Sequence, residues 1–270
     1  MTTPSVASLV GRTALVTGGA TLVGHGTVEA LHDAGATVVV VDIDEAGGRE
    51  IAARLGERCE FRACDITDDA AVAALVDSIV DAHGGLDILV NLAATYLDEG
   101  AATSRADWLT ALDVNLVSAV RLAEAARPHL AASGHGAIVN FTSISADVAQ
   151  TGRWVYPASK AAILQVTRSM AMDYAPDHIR VNSVSPGWTW SKIMHQLSGN
   201  DRARTDAVAA PFHFTGRVGD PIEVGRVVAF LASDAASVVT GANWSADGGY
   251  GAMGPEQAVP AIPQLMPEEN

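Results

Sequence analysis

The chain reads as an α/β protein on a doubly wound parallel sheet, one domain over residues 1–270 with a lid loop after the sixth strand. Three observations predict this. Short β-rich runs alternate with longer stretches of helical period from residue 13 onward. The strand-like runs are apolar without interruption, as suits strands covered on both faces. A glycine-rich turn follows the first of them, where sheets of this kind bind ligands.

Thr-Ala-Leu-Val-Thr at 13–17 predicts the first strand, a helix follows at 23–34, and Ala-Thr-Val-Val-Val-Val at 36–41 predicts the second strand. A third strand ends before Cys64-Asp65. Next come a helix at 69–82, a strand at 86–90, a long helix at 108–130 and a strand at 137–141. A helix at 156–174, a strand at 180–184, a helix at 223–232 and a short run near Asn243 complete the series. Such βαβ units wind right-handed into one sheet. Residues 188–219 show no strand or long helix, and connections of that length are most often functional lids. The tail 255–270, with Pro255, Pro260, Pro263 and Pro267, cannot continue a helix and is expected to be irregular.

Of the 270 residues 49% are hydrophobic, enough for a sizeable core. With 31 acidic and 17 basic residues the formal charge is −14, which repels phosphate backbones and anionic lipid. No nucleic acid and no membrane are therefore expected as partners. Cys59 and Cys64 make neither a disulfide framework nor a set of metal ligands, and no histidine pair has zinc-ligand spacing, so no metal is expected. No long uninterrupted apolar stretch would span a bilayer. The first residues, Met-Thr-Thr-Pro-Ser-Val-Ala-Ser, lack a basic region followed by an apolar one, so a cytoplasmic location is expected.

The first strand runs out into Thr17-Gly18-Gly19-Ala20-Thr21-Leu22-Val23-Gly24. A glycine-rich turn opening a helix brings backbone N–H groups and the helix N-terminus to a pyrophosphate, which makes Gly18, Thr21, Leu22 and Val23 candidate cofactor contacts. Asp42 closes the second strand, where a carboxylate accepts hydrogen bonds from ribose hydroxyls and repels a 2′-phosphate. Ala20, Thr21 and Ile43 supply no compensating cation, so NAD is preferred over NADP; capping of the next turn is the structural alternative for Asp42. Asp65, followed by Ile66, is placed either to reach an adenine amino group or to cap the helix near Asp68.

Tyr156 and Lys160 stand four apart, on one helix face, where an ammonium favours phenolate and makes a general acid/base. Ser143 ends the fifth strand, where its hydroxyl can hold a carbonyl oxygen, and Asn115 lies in the long helix, placed to hold a water leading to Lys160. With Asn182-Ser183-Val184-Ser185-Pro186-Gly187, Thr240-Gly241 and Asp247-Gly248-Gly249, this set resembles the short-chain dehydrogenase/reductase family over about residues 13–249. The resemblance implies a Rossmann-type fold and NAD(P)-dependent interconversion of secondary alcohols and ketones. It makes Tyr156 the acid/base, with Lys160 lowering its pKa and binding the nicotinamide ribose; Ser143 positions the carbonyl and Asn115 supports the proton relay. Asn91 and Ala93, from Asn91-Leu92-Ala93-Ala94, and Pro186, Gly187, Thr189 and Ser191 complete the implied cofactor contacts. Two positions depart from the family pattern: Leu22 replaces the middle glycine of the turn, where a side chain crowds the pyrophosphate unless the loop shifts, and Ala94 replaces the glycine after the fourth strand.

Trp154, Trp188, Trp190 and Met194, with Phe212 and Phe214, gather large apolar side chains around this site and suit a bulky or cyclic small-molecule substrate; packing of the lid or of subunits is the structural alternative. His195 and His213 are placed to meet a polar substituent or to be solvated. The resemblance also implies a homotetramer. Two rival readings are a catalytically silent dinucleotide-binding sensor or assembly subunit, and epimerase or dehydratase chemistry on nucleotide sugars, which goes with a longer C-terminal region.

Overall fold

The residues described in the computed structural model, 7–257 and 259–265, form one sheet of seven parallel strands. In chain order these are β1 (Thr13–Thr17), β2 (Thr37–Asp42), β3 (Cys59–Ala63), β4 (Ile88–Asn91), β5 (Ala137–Phe141), β6 (Arg180–Pro186) and β7 (Asn243–Ala246). Their spatial order is β3-β2-β1-β4-β5-β6-β7, so the winding reverses between β1 and β4. Nine α-helices lie among the described residues: α1 (Leu22–Asp33), α2 (Glu45–Leu55), α3 (Asp69–His83), α4 (Arg105–Leu112), α5 (Ser118–Ser133), α6 (Val155–Asp173), α7 (Lys192–Ser198), α8 (Arg202–Ala209) and α9 (Pro221–Ala232). This is a Rossmann-type doubly wound arrangement.

The valine run of β2 explains the layering. Side chains alternate across a strand, so Val38 and Val40 join Val28 and Leu31 of α1 and Val224 and Val228 of α9 on one face. Val39 and Val41 join Leu75 and Ile79 of α3 and Leu122 of α5 on the other. Each such residue is buried, and burying a Val or Leu fully contributes roughly 1.5–3 kcal/mol. Cys59 and Cys64 are free thiols packed at the margins of the two clusters, and burial pushes Cys59 up to about 11, which leaves it inert.

The structure corrects two expectations, the unbroken helix at 108–130 and the loop at 188–219, and adds detail to two other stretches. The connection from β2 to β3 contains α2, whose Gly47-Gly48 pair hides its helical period. The helix expected at 108–130 is broken into α4 and α5 by a π-helical turn, Asp113–Val117, at which the register slips by one residue. Residues 188–219 are not a loop: α7 is capped by Ser191 and α8 by Asp201, and both are too short and polar to show a periodic apolar stripe. The base of this lid is closed, with Trp190 N–H donating to Gly219 O (2.9 Å) and Gly219 N–H to Trp188 O (2.8 Å). Arg202 and Arg217 tie it to the start of α9 through Asp220 (2.6 Å) and Glu223 (2.7 Å). In the tail, residues Ile262–Leu265 form a short 3-10 turn that contains Pro263, while Pro267 lies outside the described residues. No helix of the described residues is long and apolar enough to cross a membrane.

Helices α1 and α9 approach closely because both carry glycine at the crossing. A Cβ on Gly225 would meet Gly26 O at 2.2 Å and the Ala30 Cβ at 2.9 Å. Gly225→Ala therefore overpacks the helix pair and is expected to cost about 1–3 kcal/mol, read as a lower midpoint in calorimetry; an unchanged midpoint would contradict this packing.

Candidate active site

The reversal between β1 and β4 places the Gly18 turn beside residues 91–94. Gly18 adopts φ +70°, and a Cβ there would strike the Ala93 backbone at 2.7 Å, so the turn is held against the β4 exit. Gly24 is equally confined, since a Cβ would meet Gly18 O at 2.3 Å. Thr17 Oγ1 accepts from Leu92 N–H (3.2 Å) and Ala93 N–H (3.3 Å) and so stitches the two strand exits together. Thr21 caps α1 by accepting from Gly24 N–H (3.0 Å), and Leu22, half-buried, is the first residue of the helix. Leu22 thus stands at the helix entry, with Val23, also half-buried, behind it. The first turn of α1 carries no acidic residue, which leaves the positive end of its dipole free for an anion.

Asp42 ends β2 and faces this turn, with Oδ2 accepting from Ala20 N–H and Oδ1 from Asp44 N–H, both at 3.0 Å. It does not cap α2, a task taken by Asp44. Asp65 closes a local turn by accepting from Thr67 N–H (3.0 Å) and Thr67 Oγ1 (2.7 Å), while Asp68 caps α3. Ile66 is buried in the core, in the cluster that holds Val39 and Val41. Asn91 donates to Asn140 Oδ1 (2.9 Å) and Ala119 O (3.4 Å), fastening β4 to β5 and α5.

Tyr156 lies in the first turn of α6 and Lys160 one turn later, both buried. Lys160 Nζ donates to Phe141 O at 2.9 Å, which roots α6 on the end of β5, and lies 5.6 Å from the Tyr156 ring centre. Burial draws the ammonium down to about 8. Burial also pushes the Tyr156 phenol well above 10, and the Tyr96 side chain adds to the rise, while hydrogen bonding to Ser143 and the nearby Arg153 charge oppose it. Here the Lys160 ammonium is turned to a carbonyl, and burial outweighs the cations near the phenol.

Ser143 stands two residues past β5, where its Oγ accepts from Ser145 N–H and donates to Ser145 Oγ, both at 3.2 Å; Ser145 Oγ in turn donates to Gln150 Oε1 (2.7 Å). Asn115 sits in the π-helical turn, and three of the four hydrogen-bonding positions of its side chain are taken. Its Oδ1 accepts from Thr95 N–H (2.7 Å), and its Nδ2 donates to Thr95 O (3.0 Å) and Ser159 Oγ (3.1 Å). It therefore clamps the β4 exit to α6, and the side chain has little capacity left for the expected water.

The fold thus brings Ser143, Tyr156, Lys160 and Asn115 together, but scatters the expected aromatic pocket. Trp154 is 56% exposed and joins no cluster. Trp188, directly after Gly187, packs with Phe212 (5.7 Å between ring centres) and His213 (5.9 Å), and Tyr250 closes on both. His213 is not solvated: it is 3% exposed, with Nδ1 on Ala209 O at 2.9 Å. Trp190 instead packs on His195 and the Arg202 guanidinium (5.5 Å), inside the lid framework. Thr189 is buried and donates to Gly187 O (3.2 Å), Ser191 is spent on capping α7, and Met194 is half-buried in α7. Pro186 ends β6 beside β5, so Gly187 leaves the sheet next to the Ser143 exit.

Two residues of the site escape the sequence reading. Tyr96 stacks on Tyr156 with ring centres 4.7 Å apart and planes at 22°. Asp98 supplies the cap that α6 lacks, since Trp154 offers no capping side chain. Its carboxylate accepts from Trp154 N–H and Tyr156 N–H, each at 2.9 Å, and from Gly100 N–H at 3.0 Å. Burial works to raise the Asp98 carboxyl, but these amides and that of Val155 hold it below the usual range.

Known proteins share this architecture. A family model described as Enoyl-(Acyl carrier protein) reductase matches residues 18–251. The chain is 39% identical over 248 residues to cis-4-hydroxycyclohexanecarboxylate dehydrogenase of Sinomonas cyclohexanicum, covering 90% of this chain and 97% of that one. It is 36% identical over 245 residues to 3-alpha-(or 20-beta)-hydroxysteroid dehydrogenase of Mycobacterium tuberculosis (strain ATCC 25618 / H37Rv), covering 89% and 90%. The crystal structure of gox2181 superimposes with a TM-score of 0.84 at 34% identity, covering 92% of this chain and 98% of that one. The chain belongs to the short-chain dehydrogenase/reductase family, whose members are oxidoreductases that use nicotinamide dinucleotides. The cradle fits such a cofactor: the Gly18 turn leaves no room for a side chain against Ala93, and the acid-free start of α1 opens beside Asp42.

Asp98→Ala removes the acceptor for the first amides of α6. The cost expected is about 1–2 kcal/mol, with hydrogen exchange at the Tyr156 amide accelerated about tenfold or more. Exchange at the wild-type rate would show that the helix start is held by something else.

Proposed function

We propose that the protein is an NAD-dependent oxidoreductase that interconverts a secondary alcohol and a ketone, with Tyr156 as general acid/base, on a bulky or cyclic apolar small molecule. One observation carries the reading: Tyr156, Lys160 and Ser143 converge at the exit of β5, two strands across the sheet from the turn that suits a dinucleotide. When bound, the nicotinamide accepts or donates a hydride at carbon.

The chain's own residues do the rest. Ser143 holds the carbonyl or carbinol oxygen by hydrogen bonding, next to the Tyr156 hydroxyl. In oxidation Tyr156, as phenolate, takes the alcohol proton; in reduction the neutral phenol gives it to the ketone oxygen. Lys160 lies under the Tyr156 ring, placed to bind the nicotinamide ribose hydroxyls and to favour phenolate once its ammonium turns from Phe141 O. Gly18, Thr21, Leu22 and Val23 receive the pyrophosphate at the start of α1, with Asn91 and Ala93 bordering it. Pro186, Gly187 and Thr189 border the nicotinamide.

Asp42 supports NAD over NADP, because its carboxylate faces the turn where a 2′-phosphate would lie and Ile43 beside it is exposed and uncharged. The cyclic and steroid substrates in the names of the two relatives, with the Trp188, Phe212 and Tyr250 cluster, support a bulky or cyclic substrate. A cytoplasmic homotetramer belongs to the same reading, supported by apolar Leu109 and Val117 exposed on α4 and the π-helical turn.

The test is turnover of a panel of cyclic secondary alcohols with NAD and with NADP, followed by absorbance of the reduced cofactor. NAD is expected to be the better substrate, and Tyr156→Phe to lower kcat by about 10²–10⁴-fold. Full activity in Tyr156→Phe would remove the acid/base role. Absence of turnover together with thermal stabilisation by NAD would favour a silent nucleotide-binding subunit.

A further inference from the structure

The turn ahead of α6 is tied into the site at three points. Gln150 Oε1 accepts from Ser145 Oγ (2.7 Å), itself bonded to Ser143, and Gln150 O accepts from Arg153 N–H (3.2 Å). Asp98 holds the next amide, that of Trp154, at 2.9 Å. Gly100 lies so close that a Cβ on it would meet the Gly152 carbonyl at 3.2 Å. The backbone of Arg153 is thereby fixed, and its guanidinium lies 5.9 Å from the centre of the Tyr156 ring.

That guanidinium is half-buried, yet it donates to no acceptor among the described residues. Five N–H donors in a planar fork call for acceptors, and partial burial limits how many of them water can serve. Every other half-buried arginine of the described residues places its guanidinium on a carboxylate or, for Arg180, on backbone carbonyls at the end of α9. With 31 acidic residues to 17 basic ones, a shortage of acids does not explain the exception. Asp98 reaches the amides on either side of Val155 and spends its oxygens there and on Gly100 N–H. The fold thus holds a cation with free donors against the acid/base residue.

Deepening the proposed function and resting on it, we infer that Arg153 is a specificity-determining residue that binds a carboxylate of the substrate, which makes the substrate a cyclic hydroxy acid. With the carbinol oxygen at Tyr156 and Ser143, the carboxylate takes the guanidinium fork, whose parallel N–H groups match its two oxygens. Charge sets the class. One cation offsets one monoanion, whereas a phosphoryl group, with close to two negative charges at neutral pH, calls for a second cation. The other cation facing Tyr156 among the described residues, Lys160, is buried with its ammonium on Phe141 O.

The test is kcat/KM for oxidation by NAD of isomeric hydroxycyclohexanecarboxylates and of the matching carboxamides, which keep the shape and remove the charge. It is run on wild type, Arg153→Met, Arg153→Lys and Tyr156→Phe. Wild type is expected to prefer each carboxylate that it oxidises over its carboxamide by about 10–100-fold, the range of a charged hydrogen-bonded pair. In Arg153→Met the ratio is expected to collapse toward one through a higher KM for the carboxylate, with Arg153→Lys in between because it keeps the charge and loses the fork. A purely structural role would change both substrates alike and leave the ratio where it was. A wild-type ratio near one, which depends on no variant folding, or a preference kept in Arg153→Met, overturns the role of Arg153, and loss of turnover in Tyr156→Phe then leaves the oxidoreductase reading standing. Full turnover in Tyr156→Phe overturns the acid/base reading and, with it, this inference, which places the carbinol at Tyr156.

Discussion

The burial of one ammonium under one phenol is the constraint around which the site is arranged. Lys160 is 3% exposed and, among the described residues, has no carboxylate partner, only the Phe141 carbonyl at 2.9 Å. An unpaired buried charge is costly, and the fold answers by drawing the ammonium down to about 8 instead of moving it to solvent. Stability alone would place an apolar residue there. The surrounding structure holds the group in place: Asn140 links β5 to Thr167 of α6 at 2.9 Å, Asn115 links the π-helical turn to Ser159 at 3.1 Å, and Asp98 holds the start of the helix.

The sheet supplies the other half of the arrangement. Its winding reverses between β1 and β4, so two loops leave side by side where neither is covered by a crossover. Glycine at 18 lets those loops touch, and Thr17 joins them by hydrogen bonds. The Ser143 exit follows one strand along from β4. A nucleotide-sized cleft and a proton-exchanging phenol thus become neighbours through strand order, with no residue near both in sequence.

What was legible in the sequence follows from how local each signal is. The valines of β2 announce a strand buried on both faces, because alternation and composition are properties of adjacent residues. Tyr156 and Lys160 are legible because four residues make one helical turn. Asp98 is not, since the helix amides it caps lie 56 and 58 residues away in the chain and its neighbours show no capping pattern. Tyr96 is hidden for the same reason: the residue it stacks on is brought to it by β4, β5 and α6 together. The π-helical turn leaves no mark in a periodicity that averages over it, and α7 and α8 are read as loop because their stability comes from Ser191, Asp201 and the Arg202 ion pairs instead of an apolar stripe. The aromatic residues of the lid are a warning in the other direction. Trp154, Trp188 and Trp190 are close in sequence to the site, yet only Trp188 joins the cluster above the β6 exit.

A folded-state pKa of about 8 for Lys160, against 10.5 for an ordinary lysine, means that the unfolded chain binds the proton more tightly. Stability must then rise as pH increases between those values, since the penalty for a buried charge disappears when the native ammonium is deprotonated. The decisive measurement is unfolding free energy across that pH range for wild type and for Lys160→Met, which cancels the titration of other groups in the difference. Wild type is expected to gain about 2 kcal/mol or more relative to the variant as pH rises through the window. A difference that stays flat with pH would show that Lys160 keeps an ordinary pKa and is not held buried beneath Tyr156.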